Sequence, residues 1–328
     1  MRVVPPEQPT SPIWVAMRGG LGNQLFQWAA AQALALDWDV PAPTIDLRHY
    51  RRTPWRRGFR AVRGLWRQLA SGSDRAYFFR MFDRVPELGR LGIPVRPLPA
   101  GGPSAADTQQ AWRDTSADHV AGRRVIRLAG DVERSRPEPV LLAGWLQAES
   151  LFAHRCAEIR GAIADTHTSL CVRRWEHRLA AADAVAVHVR RGDYTKPVNR
   201  QFAIQSPAYY AEAARVVRER TGAADFYVFT DDPAWARTQL DLPGRASIVS
   251  GEPGMTPIDD FTLMRKARHF VISNSTFSWW TAWLGERPGG CIVAPSTWIH
   301  GAPPPADILP SRWTVLTVPP LPPRHQLR

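Results

Sequence analysis

The chain has 328 residues, 44% of them hydrophobic, which is enough for two domains that each bury a core. Its 42 basic and 30 acidic residues leave a formal charge of +12, yet Lys196 and Lys266 are the only lysines and the arginines scatter, so a composition bias explains the excess better than a nucleic-acid-binding face. Cys156, Cys171 and Cys291 have no CxxC spacing, which argues against a disulfide framework and a zinc site, and no apolar run approaches about 18 residues, so a cytoplasmic protein without a transmembrane segment is expected.

Near the N-terminus, residues 13–17 (IWVAM) form a strand candidate, followed by RGGLGNQ and then by LFQWAAAQALAL with helical spacing. Strand, glycine loop and helix start in succession place Gly20, Gly22 and Asn23 where backbone N–H groups could meet an anion. A tight strand-to-helix turn would need glycines as well, so the loop alone favours a phosphate site only weakly. Residues 41–140 read as mixed helix and loop, with 96–110 (RPLPAGGPSAADTQQ) as a flexible excursion. An arginine cluster over 48–67 is expected to be a solvated face, with peripheral contact to an acidic membrane surface or a negatively charged acceptor as alternatives. Residues 140–152 (VLLAGWLQAESLF) read as a short buried strand leading into a helix.

The second half is regular. Strand candidates 184–189 (AVAVHV), 225–230 (DFYVFT), 247–250 (SIVS), 269–273 (HFVIS) and 291–295 (CIVAP) alternate with helix candidates 206–222, 259–268 and 278–285. That alternation predicts a parallel sheet with crossover helices, a fold that gathers ligands at the carboxyl ends of its strands. Three polar clusters fall at such ends: His188, Arg190, Arg191 and Asp193; Thr230, Asp231 and Asp232; and Ser273, Asn274, Ser275 and Thr276. Each alone could be a cap or an ion-paired turn; three at successive strand ends converge on one edge. An arginine there can grip phosphate bidentately, and the NSTF helix start suits the same anion. Asp231, Asp232 and Asp260 would repel phosphate and belong on a guanine edge or sugar hydroxyls. GxxxxGK[ST], GxGxxG and GxSxG are all absent, against a P-loop nucleotidase, a dinucleotide dehydrogenase and an α/β-hydrolase.

The segments GGLGNQLFQWAAAQALA, GWLQAESLF, VHVRRGDY, FTDDPAW and DDFTLMRKARHFVISNSTFSWWTAWL, in this order, resemble the α-1,2-fucosyltransferase family. The resemblance covers most of the chain and implies an α/β, GT-B type fold: two Rossmann-like domains facing across a cleft. Residues 1–180 would form the acceptor side and 181–328 the GDP-sugar side, with the option that the C-terminal tail returns to the first domain. It implies an inverting, metal-independent transfer of L-fucose from GDP-fucose, or of a related sugar from another GDP-sugar, to a saccharide or glycosylated acceptor, with no cofactor and no nucleic-acid partner. In this reading Arg190 grips the β-phosphate and Arg191 supports it. Asn274, Ser275, Thr276 and Phe277 line the diphosphate, Asp231, Asp232 or Asp260 meets guanosine, His188 orients the site, and Gly20, Gly22 and Asn23 approach the nucleotide. Asp193 is the nearest carboxylate for a general base, with pairing to Arg191 or a turn cap as its alternative. Members commonly carry a histidine-glycine pair after RRGDY, where this chain has TKPVNRQFAIQSPAYY. The departure leaves the sugar and acceptor open, with a different GDP-linked hexose or deoxyhexose, or a non-catalytic sugar-binding protein, as alternative readings.

Overall fold

The structure is a computed structural model and describes residues 11–51, 85–96, 98, 102–116, 140–164, 169–181, 183–304 and 307–322. Contacts divide these into two compact units, one built from residues 11–51 and the described part of 86–163, the other from Ala164 onward. Both are parallel α/β units of Rossmann type, as the GT-B expectation requires.

In the first unit, β1 (Ile13–Ala16) lies between β2 (Thr44–Asp46) and β3 (Val140–Leu142), all parallel. A three-strand sheet needs cover, and the helix Leu21–Asp37 supplies it by burying Leu25, Phe26, Ala29 and Ala33. A further helix, Ala105–Ser116, begins inside the stretch read as a flexible excursion. Its start is a reciprocal cap: Ser104 N–H donates to Asp107 Oδ2 at 2.7 Å and Asp107 N–H to Ser104 Oγ at 3.1 Å. The Ser-x-x-Asp spacing carried that signal, masked by the Pro and Gly just before it. Residues 140–152 do form a strand, but Glu149–Leu151 and Ala153–Arg155 are 3-10 turns before the helix Cys156–Ala162. Of the arginine cluster, only 48–51 lies within the described residues.

The second unit carries six parallel strands: β4 (Ala184–Val189), β5 (Asp225–Thr230), β6 (Arg245–Ile248), β7 (His269–Val271), β8 (Ile292–Pro295) and β9 (Thr314–Leu316). Their spatial order is β6-β5-β4-β7-β8-β9. Counted within the unit this is 3-2-1-4-5-6, the doubly wound order of dinucleotide-binding folds. All six side chains of β4 are buried, as a central strand covered on both faces requires. Val185, Val187 and Val189 join Tyr209, Tyr210, Ala213 and Val217 of the helix Pro207–Thr221. Tyr209 also donates its hydroxyl to Ile272 O at 2.6 Å. The helix Thr276–Gly285 is apolar nearly all round, and Trp279, Trp280 and Trp283 are fully buried. The chain after β8 adds β9 as an edge strand and bridges back at Ile204–Leu321.

Gly285 marks where that helix meets the strand beside it. A Cβ there would fall on the Phe270 ring and within 2.8 Å of Arg265 O, while one on Gly161, in the helix Cys156–Ala162, meets nothing within 4 Å. Gly285→Ala is therefore expected to destabilise by about 1–3 kcal/mol, and Gly161→Ala to be neutral or stabilising by up to about 1 kcal/mol. Thermal unfolding of the two variants checks the contrast, and an unchanged Tm for Gly285→Ala would contradict the close packing.

Candidate functional site

The strand order of the second sheet reverses between β4 and β7, and such a switch point opens a crevice at the carboxyl ends of the strands. All three polar clusters read from the sequence fall at this edge. His188, next to last in β4, points away from the valine face: its ring stacks on Phe277 at 5.6 Å, and Nδ1 lies 2.8 Å from Ser273 Oγ, just beyond β7. Burial first, and the charge of Arg190 second, push the imidazole from 6.5 down to about 3. His188 is thus neutral near pH 7 and bridges the crevice by a hydrogen bond.

Past β4 the chain meets Asp231, the first residue after β5. Asp231 Oδ1 accepts the backbone N–H groups of Arg191 and Gly192, each at 2.9 Å, and Oδ2 takes Arg190 Nη1 at 3.0 Å. Arg190 Nη2 reaches Asp193 Oδ1 at 2.8 Å. Burial opposes the Arg190 charge, but Asp231 and Asp193 outweigh it and hold the guanidinium above its ordinary value. Arg190 lies 5.6 Å over the Tyr194 ring and keeps 22% of its side chain exposed. Two carboxylates thus orient Arg190, and the arginine that Asp193 meets is Arg190 and not Arg191 as the alternative had it.

Arg191 lies 4.2 Å over Trp235, with Nε 3.4 Å from Asp232 Oδ2. Its Nη1 is buried without a hydrogen-bond partner among the described residues. Asp232 caps the helix Pro233–Gln239 by accepting Trp235 N–H at 3.1 Å, and its side chain is 33% exposed. Asp260 is 2% exposed; its Oδ2 accepts Ser250 Oγ–H at 2.8 Å, and Ser250 Oγ accepts Thr230 N–H at 2.9 Å. Of the three acids expected on guanosine, Asp231 and Asp260 are engaged inside the fold, and Asp232 is the one that reaches solvent.

Asn274 is also turned inward. Nδ2 donates to Ala203 O and Trp298 O, both at 2.8 Å, Oδ1 accepts Gln205 Nε2 at 3.2 Å, and Asn274 O accepts the Tyr194 hydroxyl at 3.0 Å. Asn274 therefore fastens the segment 194–206 instead of presenting its amide to a ligand. Gln205, 1% exposed, and Tyr194, stacked on Phe202 at 4.9 Å, share that work and had been given no role; a polar residue in an apolar run before a Ser-Pro helix start was the available signal for Gln205. Ser275 heads the helix Thr276–Gly285, and no side chain caps that end. The first-turn N–H groups, the Thr276 hydroxyl and the remaining Arg190 and Arg191 donors are the groups of this edge with the chemistry to donate to an anion.

In the first unit the loop after β1 is built around backbone. Gly19 has φ +91°, and a Cβ there would sit 2.6 Å from Asn23 Nδ2. Its carbonyl accepts Gln24 Nε2 at 3.2 Å and the Tyr50 hydroxyl at 2.8 Å. Gln27 closes on both backbone groups of Arg18, accepting N–H at 3.0 Å and donating to O at 3.2 Å. Gly20 heads the helix Leu21–Asp37 without a side-chain cap, and its missing Cβ leaves open space. Gly22 is buried in the first turn, while Asn23 Oδ1 accepts Gln147 Nε2 at 2.9 Å. Gln24 and Gln27, both buried, were missed as site builders although they stand in the quoted motif.

Comparison with known proteins finds relatives among the glycosyltransferases. A family described as Glycosyl transferase family 11 matches residues 136–306, just over half of the chain. The alpha-1,2-colitosyltransferase of Escherichia coli is 25% identical over 293 residues, covering 87% of this chain and 91% of that protein. The galactoside 2-alpha-L-fucosyltransferase SEC1 of Bos taurus is 35% identical over 113 residues, 33% of this chain and 30% of that protein. Among solved structures, a variant of Arabidopsis thaliana FUT1 in complex with GDP superposes with a TM-score of 0.44 at 12% identity, over 89% of this chain and 75% of that one.

The neutral state of His188 has a measurable consequence. Its folded pKa lies below the unfolded value, so the unfolded chain binds the extra proton between about pH 6.5 and 3 and stability falls as pH falls through that window. His188→Gln should flatten this part of the stability curve. Denaturant unfolding at a series of pH values reads the slope, and identical slopes for the two proteins would show that His188 is not held neutral.

Proposed function

The chain belongs to glycosyl transferase family 11, and from that premise we propose that it moves an L-fucosyl group, or a closely related sugar, from a GDP-linked donor to a hydroxyl of a saccharide or glycosylated acceptor. The observation that carries this reading is the placing of Arg190 at the switch point of a Rossmann sheet, beside the uncapped start of the helix Thr276–Gly285. Cleaving the bond between sugar and diphosphate leaves negative charge on the departing phosphate and positive character on the sugar. Donors aimed at that phosphate stabilise the charge as it develops. Arg190 supplies its remaining N–H groups, the helix start its backbone N–H groups and Thr276 its hydroxyl. Asp193 and Asp231 take part by holding the guanidinium plane before the donor arrives. Asp193 is 5% exposed and committed to Arg190, so it is read as a positioning residue and not as the base that takes the acceptor proton. Asp232, the solvent-reaching acid, is read as the contact to guanosine.

Transfer with inversion and without a divalent cation belongs to the same reading. A metal bridging the phosphates would need open carboxylate oxygens, whereas Asp231 turns Oδ1 to two backbone N–H groups and Oδ2 to an ion pair with Arg190. A cytoplasmic setting fits three free thiols, and among the described residues no helix is long and apolar enough to cross a membrane. The alternative sugar has two supports: TKPVNRQFAIQSPAYY replaces the expected histidine-glycine segment, and one relative is named for colitosyl rather than fucosyl transfer.

Three outcomes are expected. With GDP-fucose, other GDP-sugars and UDP-sugars offered without acceptor, thermal stabilisation and slow nucleotide release should be confined to GDP-sugars; activity with UDP-sugars alone would overturn the donor class, and full activity should persist in excess EDTA. Arg190→Lys should lower turnover by at least about a hundredfold, because a point charge cannot hold both carboxylates and still donate to phosphate. Near-normal turnover of the folded variant would remove Arg190 from the mechanism.

A further inference from the structure

Arg18 follows β1 in the first unit and stands 4.5 Å over the Trp112 ring. That ring is itself fixed, with Nε1–H donated to Ala16 O at 2.8 Å and an edge contact to Trp145 at 5.2 Å. The guanidinium is half-buried, and its Nε is enclosed without a partner among the described residues. Burial pulls its pKa down, and no carboxylate among the described residues offsets that pull. Arg48 is the contrast in the same depression. Its Nε and Nη2 grip Asp46 at 2.9 and 2.8 Å, and Nη2 also reaches Thr108 Oγ1 at 3.0 Å.

Arg18, Arg48, Asp46, Thr108 and Gln109 line an open depression of about 40 Å³, well below the size of sites that enclose a whole ligand and on the scale of one small polar group. Asp46 and Asp107 offset Arg48, whereas among the described residues no carboxylate pairs with Arg18. A desolvated cation without a counter-ion is unfavourable in the free protein, and a ligand that brings one negative charge removes the penalty. A doubly charged phosphate would leave a buried excess of negative charge beside Asp46. A carboxylate matches in charge and in its planar geometry.

We propose that this depression is a subsite for the carboxylate of an acidic saccharide, with Arg18 as the recognising cation and Trp112 as the platform that holds its plane. The proposal rests on the glycosyl-transfer reading, in which such a saccharide is the acceptor.

The test is titration of the full chain, without donor, with methyl glucuronide, methyl galacturonide, methyl glucoside, inorganic phosphate and GDP, followed calorimetrically. At least one uronide should bind measurably more tightly than the glucoside and than phosphate. Arg18→Gln should weaken that uronide at least about tenfold while leaving GDP affinity and the Tm unchanged. Uronides that bind no better than the glucoside, or that ignore the substitution, would overturn the proposal. Tighter binding of phosphate would assign the subsite to that anion instead, and a loss of GDP affinity in Arg18→Gln would assign Arg18 to the donor; either outcome overturns it. Should the neutral variant not fold, Arg18→Lys keeps the charge and loses the stacked plane, and a several-fold loss for the uronide alone supports the same reading. Because these titrations contain no donor, their failure is separate from any failure of GDP-sugar turnover.

Discussion

The carboxylate of Asp231 is the fixed point of the second unit's functional edge. One side chain at the end of β5 satisfies the backbone N–H groups of Arg191 and Gly192 and pairs with the Arg190 guanidinium. Without it, two backbone donors at the end of the neighbouring strand lose their partner, and Arg190 keeps only Asp193. The turn after β4 and its tie to the end of β5 therefore hang on a single acceptor group, which shares the arginine with Asp193. This is pre-organisation in a concrete sense: the guanidinium at this edge is oriented by the fold itself.

The opposite wall of the crevice is fixed in a complementary way. His188 ties β4 to the segment after β7 through Ser273, and Asn274 draws together Ala203, Trp298, Gln205 and Tyr194. The most polar-looking residues of NSTF thus divide by direction. Asn274 faces the protein, while Ser275 and Thr276 stand at a helix start whose N–H groups no side chain covers. In the first unit the glycine loop follows the same logic, since two buried glutamines and a tyrosine hydroxyl hold its backbone and Gly20 is left beside open space.

Much of this was legible in the sequence, and the reasons differ from place to place. Strands β4, β5, β7 and β8 are short apolar runs bounded by polar turns, and buried parallel strands leave that trace in any sequence. The strand-end clusters were found because the doubly wound order collects them on one edge. What could not be read was which polar atoms look outward. Asp231 and Asp260 are as acidic in the sequence as Asp232, and only the neighbours supplied by other strands show that the first two are engaged within the fold. The helix Ala105–Ser116 was hidden for a local reason, because Pro and Gly directly before its cap outweighed a Ser-x-x-Asp signal of four residues.

The segment between Tyr194 and the helix Pro207–Thr221 is tied along its length to the strand-end edge that carries Asp193 and Asn274. Asn199 Nδ2 donates to Asp193 O, Tyr194 stacks on Phe202, and Gln205 ties its far end to Asn274 and Thr297. The middle is fastened as well, with Ala203 N–H donating to Trp298 O, His300 N–H to Gln201 O and Leu321 N–H to Ile204 O. The stretch is therefore a strap sewn to the chain after β8, and a segment exchanged at Tyr194 and Ser206 would have to bring partners for Asn274, Thr297 and Trp298 with it.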